Sequence, residues 1–400
     1  MALSLQLEKI VLDACALESA ATAVPRLFSD ALGEVSQGGP GVAGIAALVD
    51  YLAPHWEFSP TLSAKFHDEN RVIAEATKSQ YRVLSLLSRL PRALVAGCAG
   101  SGKTVLALEK AHRIAATGAK VLLLCFNKKL ALWLQSQAID GISVHHFHGF
   151  CAQMCREAGL AIPSPDPRTD SSSFFEHELP EALMDALAES EQRFDALIVD
   201  EGQDFLASWW LPIQEALTDP VHGTFYIFYD DNQSIYTTGL ELPFSSPLFP
   251  LMENCRNTQH IHREVVKYYG GRDVIECLGP EGRPLETVTT EHVANAVQIA
   301  VKRLVHEQGV SPADISILSP LGQQRSQIQE GFRIGNLHLS WTEKGSRDTV
   351  HCSTIHGFKG LESPVIILCE LEKAHMAKRN ELLYVGMSRA RNHIILIRGD

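Results

Sequence analysis

Hydrophobic residues in this chain run in short unbroken blocks rather than alternating with polar ones. From about Glu75 onward, ALVAG (93–97), KVLLLCF (120–126), ALIVDE (196–201) and TFYIFYD (224–230) recur between stretches of helical spacing. ISILSP (315–320), PVIILCE (364–370) and HIILIRG (393–399) follow. A strand that is apolar on both faces is buried on both faces, as in parallel sheets covered by helices. The pattern therefore predicts an α/β chain. Residues 1 to about 60 differ: LSLQLEKIVLDACALESA and AGIAALVDYLA read as helices, separated by the glycine-rich break SQGGPGVAG. PSPDPRTDSSS (163–173) reads as a loop, and the chain shows no internal repeat or low-complexity tract. Three regions follow: a helical N-terminal region over 1–74, then α/β domains over 75–245 and 246–400.

Composition narrows the class without naming it. A hydrophobic share of 45% and a charged share of 20% over 400 residues suit a water-soluble globular chain of two or three domains. The longest apolar runs, such as Val121 to Phe126, are strand-sized and fall far short of the roughly 18 residues of a membrane span. Met1 to Ala20 lacks the basic leading segment of a secretory signal. Cysteines such as Cys98, Cys125 and Cys369 sit inside apolar runs without paired spacing, as reduced thiols of a cytoplasmic protein do. The formal charge of −12 argues against a broad basic surface; any nucleic-acid contact is confined to a narrow groove.

The chemistry begins where ALVAG ends. Gly97-Cys-Ala-Gly100-Ser101-Gly102-Lys103-Thr104 fits G-x-x-x-x-G-K-[ST] between a strand and the helix TVLALEKAHRIAA. The glycines let successive backbone N–H groups face a phosphate chain, and the helix N-terminus adds its positive dipole. Lys103 then reaches the β/γ-phosphates and Thr104 ligates magnesium. Such a match arises by chance in about one chain in a hundred of this length, and the strand–loop–helix context makes accident rarer still. ATP with magnesium is the expected ligand. Further on, the apolar run in LIVDEGQD delivers Asp200 and Glu201 at a strand end. One carboxylate suits the magnesium shell, and the next suits orienting or deprotonating the attacking water.

From Thr77 to the C-terminus the order of motifs resembles superfamily 1 DNA helicases of the UvrD/Rep type. Thr77-Lys-Ser-Gln80-Tyr-Arg resembles the glutamine motif that reads adenine. Cys125-Phe-Asn127-Lys and His146-Phe-His148-Gly-Phe resemble DNA-contacting motifs, and DEGQD is similar to DExQD. Asp230-Asp-Asn-Gln233-Ser-Ile-Tyr236 resembles GDxDQSIY, whose glutamine senses the γ-phosphate, and Asn254-Cys-Arg256 resembles N-Y-R, whose arginine contacts it. Thr354-Ile-His356-Gly-Phe-Lys359-Gly-Leu-Glu362 resembles the motif whose glutamate holds the ribose, and Tyr384-Val-Gly-Met-Ser388-Arg389-Ala-Arg391 the one that supplies an arginine finger. The resemblance implies two tandem RecA-like domains of parallel sheets flanked by helices. It implies catalytic roles for Lys103, Glu201, Gln233, Arg256 and Arg389, nucleotide contacts from Gln80, the Gly97–Thr104 loop and Glu362, and magnesium held by Thr104 and Asp200. Contacts to single-stranded DNA fall to Asn127, Lys128, His148 and His356. With the P-loop and carboxylates in one half and the arginines in the other, nucleotide state is tied to domain closure.

The implied activity is ATP-dependent translocation on single-stranded DNA, 3′→5′, as a helicase. Its rivals are a DNA-stimulated ATPase switch without unwinding, and a nucleotide-binding module serving a nuclease or defence complex. Three departures bear on the choice. Cys255 replaces a base-stacking tyrosine, and Thr237 and Thr238 stand where relatives often carry an aromatic and an arginine. The gaps His148–Asp200 and Arg256–Lys359 also leave little room for accessory domains 1B and 2B. Residues 1–60 resemble the connector to a nuclease-related domain, but no E-x-K nuclease signature is present. His145, His146, His148, Cys151 and Cys155 invite a zinc reading, against which Cys151 and Cys155 fit one buried helix face. Trp209-Trp210 fits a packed helix better than an exposed stacking pair. Lys128-Lys129 suits either phosphate contact or a solvated face, and Arg325 a structural or DNA-backbone role.

Overall fold

The computed structural model describes residues 61–164, 173–230, 241–245, 247–270, 274–342 and 345–399. The helices expected within 1–60, the centre of the 163–173 loop, and the motif residues Gln233, Tyr236, Thr237 and Thr238 lie outside the described residues.

The apolar runs become strands for the reason the pattern implies: β1 (Arg92–Gly97), β2 (Val121–Cys125), β4 (Ala196–Val199) and β5 (Thr224–Asp230) are buried over nearly their whole length. With β3 (Ile142–His146) and β6 (Leu248–Leu251) they form a six-stranded parallel sheet in the order β3-β2-β4-β5-β1-β6. Helices α1 (Leu62–Leu86), α2 (Lys103–Ala115), α3 (Lys128–Gln137), α4 (Phe147–Glu157), α5 (Leu179–Glu189) and α6 (Ala207–Glu215) accompany it. Two apolar cores, one per face, contain Phe147, Met154, Leu197 and Trp209 on one side and Val95, Leu106, Leu123 and Ile198 on the other.

A short parallel pair, β7 (Glu253–Asn254) and β8 (Glu276–Cys277), brackets α7 (Gln259–Val266). The second sheet has seven strands in the order β11-β12-β13-β10-β14-β15-β9. These are β9 (Glu286–Thr289), β10 (Ile315–Ser319), β11 (Arg333–Ile334), β12 (Leu337–Ser340), β13 (Thr349–Thr354), β14 (Ser363–Leu368) and β15 (Ala390–Arg398), accompanied by α8 (Val293–Lys302) and α9 (Arg379–Met387). All neighbours run parallel except β11 and β12. Each sheet with its helices makes one lobe of an α/β, two-sheet RecA-like architecture.

The divisions expected at 74/75 and 245/246 fall inside α1 and just before β6, so the helix and the first sheet each cross one of them. Helix α1 is shared by both lobes. Leu62 and Phe66 enter the second sheet's core, while Leu84, with Leu87 just past the helix end, enters the first sheet's. In each sheet the carboxyl ends of parallel strands meet loops that carry the motif residues, the usual place for a ligand in such folds.

Candidate functional site

Between Gly97, which ends β1, and Lys103, which opens α2, the chain makes a tight turn with Gly100 at φ 87° and Gly102 at φ 79°, a region open chiefly to glycine. A Cβ at Gly100 would lie 2.4 Å from Asn257 Oδ1, and one at Gly102 2.6 Å from Gln80 Oε1. Lys103 Nζ donates to the carbonyls of Gly97 and Cys98 at 2.8 and 2.9 Å and pairs with Asp230 Oδ2 at 3.3 Å. Asp230 reaches it because β5 pairs with β1 in a register that sets Gly97 opposite Asp230. Ser101 is fully buried with its hydroxyl unpartnered. Gln80 donates to the Glu253 carbonyl at 3.2 Å, and its oxygen is buried without a partner. Its carboxamide therefore braces the cradle from behind.

Strand β4 ends one residue before a carboxylate pair. Asp200 is 0% exposed and neither of its oxygens receives a hydrogen bond of acceptable geometry. Burial, then the Glu201 charge, raises its carboxyl to about 7, against the nearby Thr104 hydroxyl and Lys103. Glu201 behaves oppositely: burial works against its charge, yet Lys359, Lys103 and Arg389 hold it down at about 2. Its backbone is left-handed at φ 56°, an uncommon conformation for a residue other than glycine. Gln203 steadies it, donating through Nε2 to the Glu201 carboxylate and accepting the Asp230 N–H at 2.8 Å through Oε1. Two orphaned Asp200 oxygens beside the buried Thr104 hydroxyl are the hard oxygen donors a magnesium ion takes, and the glycine cradle has room only for atoms approaching its backbone. Thr104, Asp200 and the cradle thus fit a magnesium–phosphate group.

The second lobe meets this cradle through several contacts. Tyr384 accepts the Ala99 N–H at 2.8 Å and donates to Asp230 Oδ1 at 3.4 Å. Asn254 accepts the N–H groups of Arg256 and Asn257, both at 3.1 Å, and Asn257 donates to the carbonyls of Ser388 and Ala390. Cys255 N–H donates to the Gly100 carbonyl at 3.1 Å, and the residue is buried. Arg256 Nε lies 2.5 Å from Glu362 Oε2, and Arg391 Nε 3.7 Å from Glu362 Oε1. Arg389 is buried, with its guanidinium donating to the Val385 carbonyl and the Ser388 hydroxyl. Burial, then the like charge of Arg256, lowers its pKa while Glu201 and Asp230 oppose that. Thr104, Arg256 and Glu362 line one cavity of about 120 Å³.

A second cavity, of about 810 Å³, opens beside the first, and Asn127, Lys128, His148 and His356 all line it. Its charged wall sets Lys128, Lys359 and Lys378 against Asp204 and Glu381. Lys359 Nζ bonds Asp204 Oδ1 across the lobes at 2.7 Å. Asn127 is less available than its motif suggests. Its Oδ1 caps α3 by accepting the Lys129 N–H at 2.8 Å, and its Nδ2 donates to the Gly357 and Lys359 carbonyls at 3.2 and 3.0 Å. Lys128 is exposed on the cavity, whereas Lys129 donates to Ser353 Oγ at 3.2 Å. His148 packs among Phe126, Phe175 and Trp209, and burial, then His146, drops its imidazole to about 4. It faces the cavity neutral. Trp209 and Trp210 are buried and bond the Phe175 and Glu241 carbonyls, while Cys151 and Cys155 lie in the core. Among the described residues no group of three or more His, Cys, Asp or Glu side chains is placed to hold a metal.

Residues 80–239 match the family described as AAA domain, and residues 349–397 match the UvrD-like helicase C-terminal domain. The chain belongs to the UvrD-like helicases of superfamily 1. The AAA match contains the cradle and both carboxylates, and the C-terminal match contains Glu362 and Arg389. No match was found among curated proteins. The chain is similar to three viral solved structures. One is described as "Crystal structure of Arterivirus nonstructural protein 10 (helicase)", with 14% identity, 82% of this chain and 61% of that chain covered, and a TM-score of 0.34. "The structure of PRRSV helicase" has 13% identity, coverage of 82% and 54%, and a TM-score of 0.37. "Complex structure of Arterivirus nonstructural protein 10 (helicase) with DNA" has 14% identity, coverage of 82% and 63%, and a TM-score of 0.34. The chain thus spans 54% to 63% of the length of these structures.

In this helicase core the cleft gathers Lys103, Thr104, Asp200, Glu201, Arg256, Glu362 and Arg389. Gln203, Asp204, Asp230, Lys359 and Tyr384 join them without having been assigned a role from sequence. Their signal was positional: Gln203 and Asp204 follow the carboxylate pair, and Asp230 is the polar end of an apolar strand. None of the described helices is long and apolar enough to cross a membrane.

Proposed function

We propose that this chain is a cytosolic, ATP-dependent translocase on single-stranded DNA, working as a superfamily 1 helicase motor with 3′→5′ polarity. The observation that carries the reading is one shared segment. Gln203 and Asp204 line the 810 Å³ cavity, while Gln203 holds Glu201 and Asp204 holds Lys359. A strand in that cavity touches the residues that set the geometry of the cleft.

Thr104 and Asp200 would hold magnesium, which supplies charge neutralisation at the β- and γ-phosphates. Lys103 exchanges its contacts with the Gly97 and Cys98 carbonyls for phosphate oxygens. Glu201, ionised at neutral pH, accepts a hydrogen bond from the attacking water and aims it at the γ-phosphorus. As the new P–O bond forms, the bond to the ADP oxygen breaks, and Arg256 and Arg389 face the charge that develops. Arg256 reaches that position only by leaving Glu362, which is then free to take the ribose hydroxyls. Gln80 and Gln233 complete the nucleotide contacts in this reading, the first at the base and the second at the γ-phosphate.

Translocation without unwinding is favoured for the chain alone. The described residues between Arg256 and Lys359 are taken up by β8 to β13 and their helices, leaving no separate domain among them to hold a duplex junction. Each base-pair step costs about 1.4 kcal/mol to open, so a partner, such as a nuclease or accessory protein, supplies the wedge. Strand separation on duplexes with 3′ or 5′ single-stranded tails tests this beside displacement of a protein bound to single strands. Displacement towards the 5′ end with little duplex opening is expected. Efficient opening of long duplexes by the pure chain contradicts the wedge argument, and no displacement in either direction contradicts translocation.

A further inference from the structure

The 120 Å³ cavity has a lining of two chemical kinds. Its lining mixes polar residues suited to phosphate and sugar, Thr104, Arg256 and Glu362, with apolar ones, Val105, Leu361 and Trp133 of α3. A nucleotide has the same division, with an anionic end and a flat base whose faces are apolar. Cys255, beside Arg256, is 1% exposed under the cradle and offers the cavity no surface.

Trp133 is placed unlike the other tryptophans among the described residues. Trp209, Trp210 and Trp341 donate their indole N–H groups to the carbonyls of Phe175, Glu241 and Ile328 at 2.9, 2.7 and 2.8 Å. That is how a tryptophan serving as filler is satisfied. The Trp133 ring is partly buried and backs onto the first sheet's core. Among the described residues its N–H has no hydrogen-bond partner and its ring no aromatic neighbour. A half-backed ring on the wall of a cavity leaves one side for a ligand.

We propose that Trp133 is the stacking platform for the base of the bound nucleotide, and that the site therefore accepts guanine as well as adenine. This rests on reading the cleft as a nucleotide site. Stacking is tolerant of base identity because every base has a π-face. A cavity of about 120 Å³ lies below the roughly 300 Å³ at which small-molecule pockets begin, so the Arg256–Glu362 contact must part to admit the ligand. That parting moves Leu361 and Glu362 away from Trp133 and uncovers the ring.

The test uses the full chain with magnesium, titrated with ribose-labelled mantATP and mantGTP and competed with unlabelled ATP and GTP. Wild type should show energy transfer from tryptophan to the mant group with both nucleotides. Trp133→Phe keeps a stacking ring, so affinity should stay within about threefold while most of the energy transfer is lost. Trp133→Ala should weaken ATP and GTP by a similar factor, between about fivefold and a hundredfold, with circular dichroism reporting the fold. Unchanged affinity in Trp133→Ala, full energy transfer in Trp133→Phe, or a loss confined to ATP overturns the Trp133 assignment and leaves the nucleotide site standing. Wild type binding neither nucleotide overturns both.

Discussion

Asp200 and Glu201 are adjacent and both buried, yet their carboxyls are pushed in opposite directions, Asp200 up and Glu201 down. Their neighbours explain the difference. Glu201 looks onto Lys359, Lys103 and Arg389, while Asp200 has burial and the Glu201 charge against it. The Asp200 pKa is raised on folding, so the folded state binds its proton more tightly than the unfolded chain does. The charged form then costs stability as pH rises from the ordinary aspartate value towards about 7. Asp200→Asn removes that cost. In the absence of nucleotide and magnesium the variant should melt higher than wild type at pH 8, with the gain shrinking as pH falls towards 4. Thermal melts of both proteins across that range check the sign. An Asn variant that melts lower at pH 8 would mean that the orphaned carboxylate is not a site of stored cost, and with it the argument that magnesium is what satisfies it.

At the scale of elements, α1 is the unexpected piece. Its 25 residues extend about 37 Å at helical rise, and within it Phe66 in the second lobe's core and Leu84 in the first's stand about 27 Å apart, with Gln80 against Gly102 between them. Asn392 of β15 donates to Glu69 at 2.7 Å, a further tie from this helix to the second lobe. If the helix braces both lobes, Phe66→Ala should lower the unfolding free energy by about 3–5 kcal/mol, as for other buried aromatics. A denaturant titration reads this. A change within about 0.5 kcal/mol, the size expected for a surface site, would make α1 peripheral to the second lobe.

The sequence pattern could not show this helix's reach, because contacts to a second core leave no local periodic mark. The same limit explains which strands were legible. The central strands β1, β2, β4, β5, β10, β14 and β15 are apolar on both faces and stood out. Edge strands β6 and β9 alternate in burial, and β12 is short and carries His338, so none of them formed an apolar block. Within the site, the cradle and carboxylates were readable because phosphate chemistry fixes residue type and spacing along one stretch of chain. The motif at Asn127 implies a DNA contact; the residue lines the larger cavity, and its carboxamide also caps α3 and donates to second-lobe carbonyls. Trp133 and Tyr384 drew no assignment from sequence, because their roles depend on the other lobe.

For the molecule as a whole, the two cavities and the charge set the terms. On the proposed reading, a chain of formal charge −12 would offer nucleic acid a groove lined by Lys128, Lys359 and Lys378 beside Asp204 and Glu381, so affinity should be modest and should fall with salt in proportion to the few phosphates neutralised. Gln203, Asp204 and Lys359 line the groove and contact or face Glu201 of the proposed ATP cleft, which Arg256 and Arg389 complete from the second lobe. A strand lying across both lobes therefore favours the arrangement that brings those arginines to the phosphate. The most direct test is steady-state ATP turnover by the full chain with and without saturating single-stranded DNA at low salt, repeated with Arg389→Ala. Turnover should rise with DNA in the wild type and fall by roughly 10³–10⁵ in the variant, the range for removal of an arginine finger. Wild-type turnover indifferent to DNA, or a variant that keeps its DNA-stimulated rate within tenfold, would contradict the coupling of the two sites.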